Sequence, residues 1–387
     1  MPTTSNRSDR LGARAAPEPT VPRSVKVWDL PTRLFHWLLV AAVLFALATG
    51  LLAPKWWLGR HMIAGYVVAG LLLFRFVWAV HGSEFSRFGS FAYQPRQVLA
   101  HLGSLLRLRA THYLGHNPSG AAMIFALLGI LCLLVVTGFV QQGGFEKQGP
   151  LAGLVSYAVG NGIRQIHTLA AYLLLLLIAG HLAGVLLSSW FFKEPLIPAM
   201  IHGRKPALPG EGARGLWRRA RPGAAALWLA LLAIPIAAAL VLLSRLPALG
   251  LPAMPPSQAM LGECGACHHP FHPSLLPRAA WSRLMETLSD HFGEDASLRA
   301  TTRDEIAAYL ERYAAEAWDS KAAHRFAAVA PDNPVSITAT PGWQRIHRRL
   351  DPALFRLPAI KARSNCIACH RDADSGRFDP QEISIPQ

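Results

Sequence analysis

Between Ile163 and Trp190 the chain reads IRQIHTLAAYLLLLLIAGHLAGVLLSSW, apolar enough and long enough to cross a bilayer as a helix. Two histidines, His167 and His181, interrupt it. They are fourteen residues apart, close to four helical turns, so both point to one face, roughly 21 Å apart along the axis. An ionisable side chain inside a span is costly and marks a functional position by default. Two on one face, towards opposite edges of the hydrocarbon, suit two stacked cofactors, and haem iron is the fitting candidate.

Four further apolar segments are long enough to span, making five at about 34–53, 61–80, 119–140, 165–187 and 223–243. Backbone groups in lipid must be satisfied internally, so all five are expected as helices. Up to Arg245 the chain holds 23 Lys+Arg against 7 Asp+Glu; beyond it the numbers are 15 and 16. The net charge of +15 therefore belongs to the apolar part, where it flanks spans. That distribution speaks for a membrane and against a nucleic-acid partner. Arg7, Arg10, Arg14, Arg23, Lys26 and Arg33 precede the first span, Arg87, Arg96, Arg107 and Arg109 follow the second, and Lys193, Arg204, Lys205, Arg214, Arg218, Arg219 and Arg221 follow the fourth. The other two connections hold Lys55, Arg60, Lys147 and Arg164. The positive-inside rule then puts the N-terminus in the cytoplasm and everything after about Ser244 outside. Residues 1–24 are expected to be a disordered cytoplasmic arm with no cleavable signal, the first span serving for targeting.

Depth pairs the histidines. The first span opens VWDLPTRLFHWLL, with His36 near its cytoplasmic end; the second begins GRHMIAGY, with His61 near its outer end. The fourth runs inward, so His167 shares the depth of His61 and His181 that of His36. Two bis-histidine irons are expected, His36 with His181 on the inner side and His61 with His167 on the outer side.

The segments VWDLPTRLFHW, GRHMIAGYVVAG, GHNPSGAAM and IHTLAAYLLLLLIAGHLAGVLLSSW resemble the bacterial cytochrome b-561 family, which includes the b-type subunits of nickel–iron hydrogenases. The resemblance covers about 25–205. It implies a four-helix bundle with two non-covalent b haems, and its histidine pattern falls on the same four residues.

Arg75, towards the cytoplasmic end of the second span, reads either as snorkelling to the headgroups or as pairing with a propionate of the inner haem. PRQVLAHLGSLLRLRA reads as a helix on the inner membrane surface, with His101, His112 and His116 solvated in that connection. Cys132 is expected as a small packing residue. Residues 206–257 comprise a basic connection, a fifth span kinked at Pro235, and a semi-rigid proline-rich linker, LSRLPALGLPAMPPSQ.

Beyond the linker, four of five cysteines fall in two Cys-x-x-Cys-His sequences, Cys264–Cys267–His268 and Cys366–Cys369–His370. This spacing is the attachment signature of c-type haem: two thioethers and an adjacent proximal histidine. Such attachment takes place outside the cytoplasmic membrane, in agreement with the charge-derived topology. The second axial ligands are open among His269, His272, His291, His324, His347, Met260 and Met285. PRAAWSRLMETLSDHFGED reads as an amphipathic helix ending near His291, TTRDEIAAYLERYAAEA as a helix opened by a Thr cap, and GWQRIHRRL as one carrying His347.

ECGACH, HFGEDASL, RIHRR and NCIACHRDADSGRF resemble the bacterial di-haem cytochrome c family over roughly 258–387. The resemblance implies two bis-histidine c haems, with His291 and His347 as distal ligands in an order left open. The expected fold is all-α: a four-helix transmembrane di-haem b bundle (25–205), a fifth transmembrane helix, and a small, mostly helical periplasmic di-haem c domain (258–387). Irons with both axial sites filled by protein favour electron transfer. The reading is a tetra-haem conduit in the bacterial inner membrane between the quinone pool and a soluble periplasmic electron-transfer protein, such as a c-type haem protein. Alternatives are a superoxide-oxidising quinone reductase, using Lys55, Arg60 and Arg164 to attract the anion, and a haem-based gas or redox sensor.

Overall fold

The computed structural model describes residues 24–107, 109, 112–206 and 219–386. The arm read as disordered lies outside the described residues except for Ser24, as do Arg214 and Arg218 of the basic connection.

A strand β1 (Ser24–Lys26) leads into helix α1 (Leu30–Leu51), capped by the Asp29 carboxylate, which accepts from the Thr32 N–H at 2.9 Å, with a proline in the first turn. Then come α2 (Leu58–His81), α3 (Pro95–Leu106), α4 (Pro118–Gly144), α5 (Tyr157–Phe191), α6 (Leu196–His202), strand β2 (Arg204–Pro206) and α7 (Pro222–Ser244). Among the described residues, α1, α2, α4, α5 and α7 are long and apolar enough to cross a membrane. Strands β1 and β2 pair antiparallel with Val25 opposite Lys205, tying the start of the chain to the end of the bundle.

Helices α1 and α2 form one hairpin and α4 and α5 another, with α2 packed on α4 and on α7. Phe35, Val43, Val68, Leu72, Leu128, Leu131, Ala170 and Leu174 form the shared core. The close approach of α4 to α5 needs glycine: a Cβ on Gly160 would lie 2.3 Å from the Phe145 nitrogen. At the His36 end, buried Asp29 also accepts from Trp78 Nε1 (3.1 Å), the Ser83 N–H (3.2 Å) and Ser86 Oγ (3.0 Å), joining α1 to the turn after α2. Burial alone would raise this carboxyl; the hydrogen bonds from Ser83, Thr32 and Ser86 outweigh it and hold it below the usual range.

The C-terminal part carries short helices α8 (Gln258–Glu263), α9 (Arg278–Glu286), α10 (Ala300–Arg312), α11 (Lys321–Phe326) and α12 (Pro341–His347), with 3-10 turns between them. Its core gathers Leu275, Leu276, Trp281, Ile306, Leu310, Phe326 and Trp343. Helix α10 starts at Ala300 without a side-chain cap, so the threonine expected as its cap lies inside the first turn. This part sits on the His61 end of the bundle. Lys147, almost fully buried, reaches Asp319 Oδ2 (2.7 Å) and the carbonyls of Leu249 (2.9 Å) and Val155 (3.2 Å). Lys321 pairs with Glu146, Gln148 with Asp379, and Arg377 donates to the Lys147 carbonyl at 3.3 Å. The linker expected to be merely a spacer is built into this junction, Leu249 N–H bonding Ala152 O and Gly250 O accepting from the Asp319 N–H, both at 2.8 Å.

Candidate functional site

Helix phase brings the histidines together. The rings of His61, one turn into α2, and His167, in α5, have centroids 6.2 Å apart and planes at 82°. His36 of α1 comes within electrostatic reach of His181 of α5. In the C-terminal part His268 faces His291 at 6.1 Å with planes 20° apart, and His347 faces His370 at 6.2 Å and 83°. A gap near 6 Å between imidazole centres accommodates one ion with metal–nitrogen bonds of about 2 Å on each side. The His61–His167, His268–His291 and His347–His370 pairs therefore fit an iron held by two histidines.

In His61, His167, His347 and His268 one ring nitrogen is held by a hydrogen bond, whereas the buried Nδ1 of His370 has no partner among the described residues. His61 Nδ1 lies 3.0 Å from Ala46 O and 3.3 Å from Thr49 Oγ1, and His167 Nδ1 lies 2.9 Å from Thr137 Oγ1. His347 Nδ1 bonds Trp343 O at 3.0 Å, one turn back along α12, and His268 Nδ1 bonds His269 O at 2.9 Å. Such partners orient a ligating imidazole and leave Nε2 to the metal. Burial, then the neighbouring His268, lowers the pKa of His291; burial lowers that of His347; burial, then His347, lowers that of His370. In all three the shift favours the neutral ring, the form that binds metal.

Each cysteine pair sits on one tight turn, Cys264–Ala266 and Cys366–Ala368, which brings the following histidine back over it; the His370 N–H bonds Cys366 O at 2.8 Å. Burial pushes the Cys366 thiol up to about 11. All four of these cysteines are free thiols, available for thioether attachment.

Of the other axial candidates, Met260 and Met285 are buried in the C-terminal core, and His272 is buried with Nδ1 at 2.8 Å from Ser274 Oγ. His269 meets Asp374 at 3.0 Å. His324 serves the junction, bonding Asp319 at 3.0 Å and stacking on Tyr157 at 4.2 Å.

Two expectations need correction. Arg75 does not snorkel: it is 4% exposed, donates to Ser86 O at 2.9 Å and lies 4.6 Å over the Phe88 ring. The turn after α2 folds back over this position and shuts it off from the membrane surface. Nor are the histidines between α2 and α4 solvated. His101 is buried against Ser119 (3.0 Å), His112 pairs with Glu194, and His116 is sandwiched between Trp28 (4.5 Å) and Phe91 (4.2 Å). This connection packs on β1, β2 and the end of α5, which a reading of its polarity alone could not show. Thr49, Thr137 and Asp319 were not singled out by the sequence, and Lys147 only as a connection charge; for the two threonines a Thr-Gly doublet recurring in the first and third spans was the available signal.

A histidine-paired membrane bundle joined to two Cys-x-x-Cys-His centres defines a membrane electron-transfer cytochrome, a chain of haem b and haem c. Residues 27–203 match the family described as prokaryotic cytochrome b561, and residues 260–378 that described as dihaem cytochrome c. The N-terminal part of the chain belongs to the first family and the C-terminal part to the second. A probable Ni/Fe-hydrogenase B-type cytochrome subunit of Bradyrhizobium diazoefficiens is 26% identical over 231 residues, covering 51% of this chain and 91% of its own. A probable Ni/Fe-hydrogenase 1 B-type cytochrome subunit of Escherichia coli (strain K12) is 24% identical over 213 residues, covering 46% and 88%. A diheme cytochrome c from Rhodobacter sphaeroides is 35% identical, covering 32% of this chain and 98% of its own, with a TM-score of 0.28.

Proposed function

We propose that the chain holds four haems and carries electrons from membrane quinol to a soluble periplasmic acceptor. His36 with His181 and His61 with His167 hold two b haems; His268 with His291 and His370 with His347 hold two c haems, attached through Cys264, Cys267, Cys366 and Cys369. Bound haem supplies a one-electron iron couple. The protein's part is to fill both axial positions, which keeps small ligands off the iron and leaves electron transfer as the chemistry. Arg75, with donors beyond the one given to Ser86, remains the proposed partner of a propionate of the inner haem. The charge pattern supports a cytoplasmic N-terminus, an inner-membrane location and a periplasmic C-terminal domain. The working division is an arm at 1–24, a b domain at 25–205, a connection with the fifth span at 206–257, and a c domain at 258–387.

The observation that carries this reading is the seating of the segment after His370 on the bundle end that bears His61. Arg377 and Asp379 touch Lys147 and Gln148, and Lys321, close enough to act on His370, pairs with Glu146 of the bundle. Entry from the bundle is therefore proposed at the His347–His370 pair, with exit at the His268–His291 pair.

The test is anaerobic. Quinol is added to purified full-length protein, and the b and c bands are followed in time. Reduction of b followed by c is the expected result. If quinol reduces neither while a reduced soluble cytochrome fills c and then b, the proposed direction is wrong.

A further inference from the structure

Two segments of the bundle repeat one arrangement around the histidines nearer the C-terminal part. In α1 it is Ala46-Leu47-Ala48-Thr49-Gly50, facing His61 of α2; in α4 it is Leu134-Val135-Val136-Thr137-Gly138, facing His167 of α5. Thr49 Oγ1 donates to Phe45 O at 2.7 Å, and Thr137 Oγ1 donates to Leu133 O at 2.7 Å. Both threonines are buried. With its one proton given to its own helix, each hydroxyl offers the ring only lone pairs. The imidazole nitrogen beside it must then carry the hydrogen: His167 Nδ1–H donates to Thr137 at 2.9 Å, and His61 Nδ1–H is shared between Ala46 O at 3.0 Å and Thr49 at 3.3 Å. Gly50 clears room for its ring, since a Cβ there would lie 2.9 Å from His61 Cε1, while a Cβ on Gly138 would meet His167 Cε1 at an ordinary 3.5 Å.

We infer that these twin Thr-Gly cradles are positioning devices for the haem between His61 and His167, fixing both ligands in the Nδ1–H tautomer and lowering that haem's reduction potential. This rests on the reading of His61 and His167 as its axial ligands. A hydrogen bond donated from Nδ1 makes Nε2 a stronger base towards the metal. Stronger donation stabilises ferric over ferrous iron, so losing the acceptor shifts the potential upward. The effect is unequal: His167 leans on its hydroxyl at 2.9 Å, whereas His61 keeps a closer backbone carbonyl.

The experiment is a spectroelectrochemical titration of full-length holoprotein carrying Thr137→Val, Thr49→Val and the two serine variants. One b-haem potential is expected to move upward in Thr137→Val, to move less in Thr49→Val, and to return in the serine variants, with the other b haem and both c haems unmoved. If Thr137→Val fails to retain its haem, Thr137→Ser decides: retention supports the hydroxyl's role, and loss in both variants overturns it. Unchanged potentials in the valine variants with all haems present also overturn it, as do equal shifts in valine and serine. His167→Ala separates the two levels of the argument. If it keeps both b haems, the ligand assignment itself falls; if it loses one while valine moves nothing, only the cradle inference falls.

Discussion

The rings of His347 and His370 cross at 83°, whereas those of His268 and His291 lie within 20° of parallel, although both pairs are separated by almost the same distance, 6.2 and 6.1 Å. Crossed imidazole planes leave the two iron dπ orbitals they address nearly degenerate, while parallel planes split them. The oxidised His347–His370 centre is therefore expected to give a strongly anisotropic low-spin EPR signal, and the His268–His291 centre an ordinary rhombic one. His347→Gly should remove the first and leave the second. Two indistinguishable c-haem signals would contradict the geometry.

The seating of the rings makes a second prediction. Gly50→Ala drives a methyl to within 2.9 Å of His61 Cε1, on a ring already held through Nδ1 and unable to swing away. Gly138→Ala meets His167 at an ordinary contact of 3.5 Å. We expect Gly50→Ala to perturb the spectrum and retention of one b haem and Gly138→Ala to leave both near wild type, as read by pyridine haemochrome content and low-temperature optical spectra. Equal behaviour of the two variants would show that the rings are free to shift.

These two predictions lie at different distances from the sequence. That a span should carry His167 and His181 on one face follows from helical period and hydropathy, which are local properties. Which distal histidine meets which attachment site depends on how 273–365 folds around Trp281 and Trp343, and spacing could not order the candidates. Met260 and Met285 were indistinguishable from ligands until the C-terminal core enclosed them. The cradles were hidden for a different reason: threonine and glycine are common in membrane helices, where small residues serve close packing. Only the position of each doublet opposite a histidine gives it meaning. Asp319, a lone acidic residue in the sequence, becomes important because three parts of the chain meet at it.

At that junction Lys147 is almost fully buried and Asp319 is its charge partner. Removing Asp319, itself 25% exposed, leaves the buried Lys147 charge with only the carbonyls of Leu249 and Val155, which is destabilising. Asp319→Ala is therefore expected to loosen the C-terminal part from the bundle. Cleavage in the linker, whose Leu249 and Gly250 are tied into the same contacts, should become faster, and b-to-c transfer slower, with haem content unchanged. His324→Ala should do less, because His324 is 44% exposed and its bond to Asp319 is worth little where water competes. Limited proteolysis and stopped-flow absorbance check both; a larger effect from His324→Ala would place the energetic centre of the junction at the Tyr157 stack instead.

The histidine at the other end of the bundle predicts a pH dependence. Burial first, then the positive charges of Arg75 and Lys205, push the pKa of His116 down to about 3 from an ordinary value near 6.5. The folded protein thus binds fewer protons at this site than the unfolded chain does. His116 therefore contributes its full stability above about pH 6.5 and loses it progressively as pH falls towards 3. Within that window one proton separates the two states, equivalent to about 1.4 kcal/mol per pH unit. His116 packs on Trp28, whose N–H, like that of Val27, bonds Gly203 O, at 3.1 and 2.8 Å respectively, so these two amides report locally. Their protection from hydrogen exchange, corrected for intrinsic rate, should fall between pH 6.5 and 5 in the wild-type protein. In His116→Phe, which keeps the aromatic sandwich without a titratable nitrogen, the decline should flatten. Identical slopes in the two proteins would assign the pH dependence to another group.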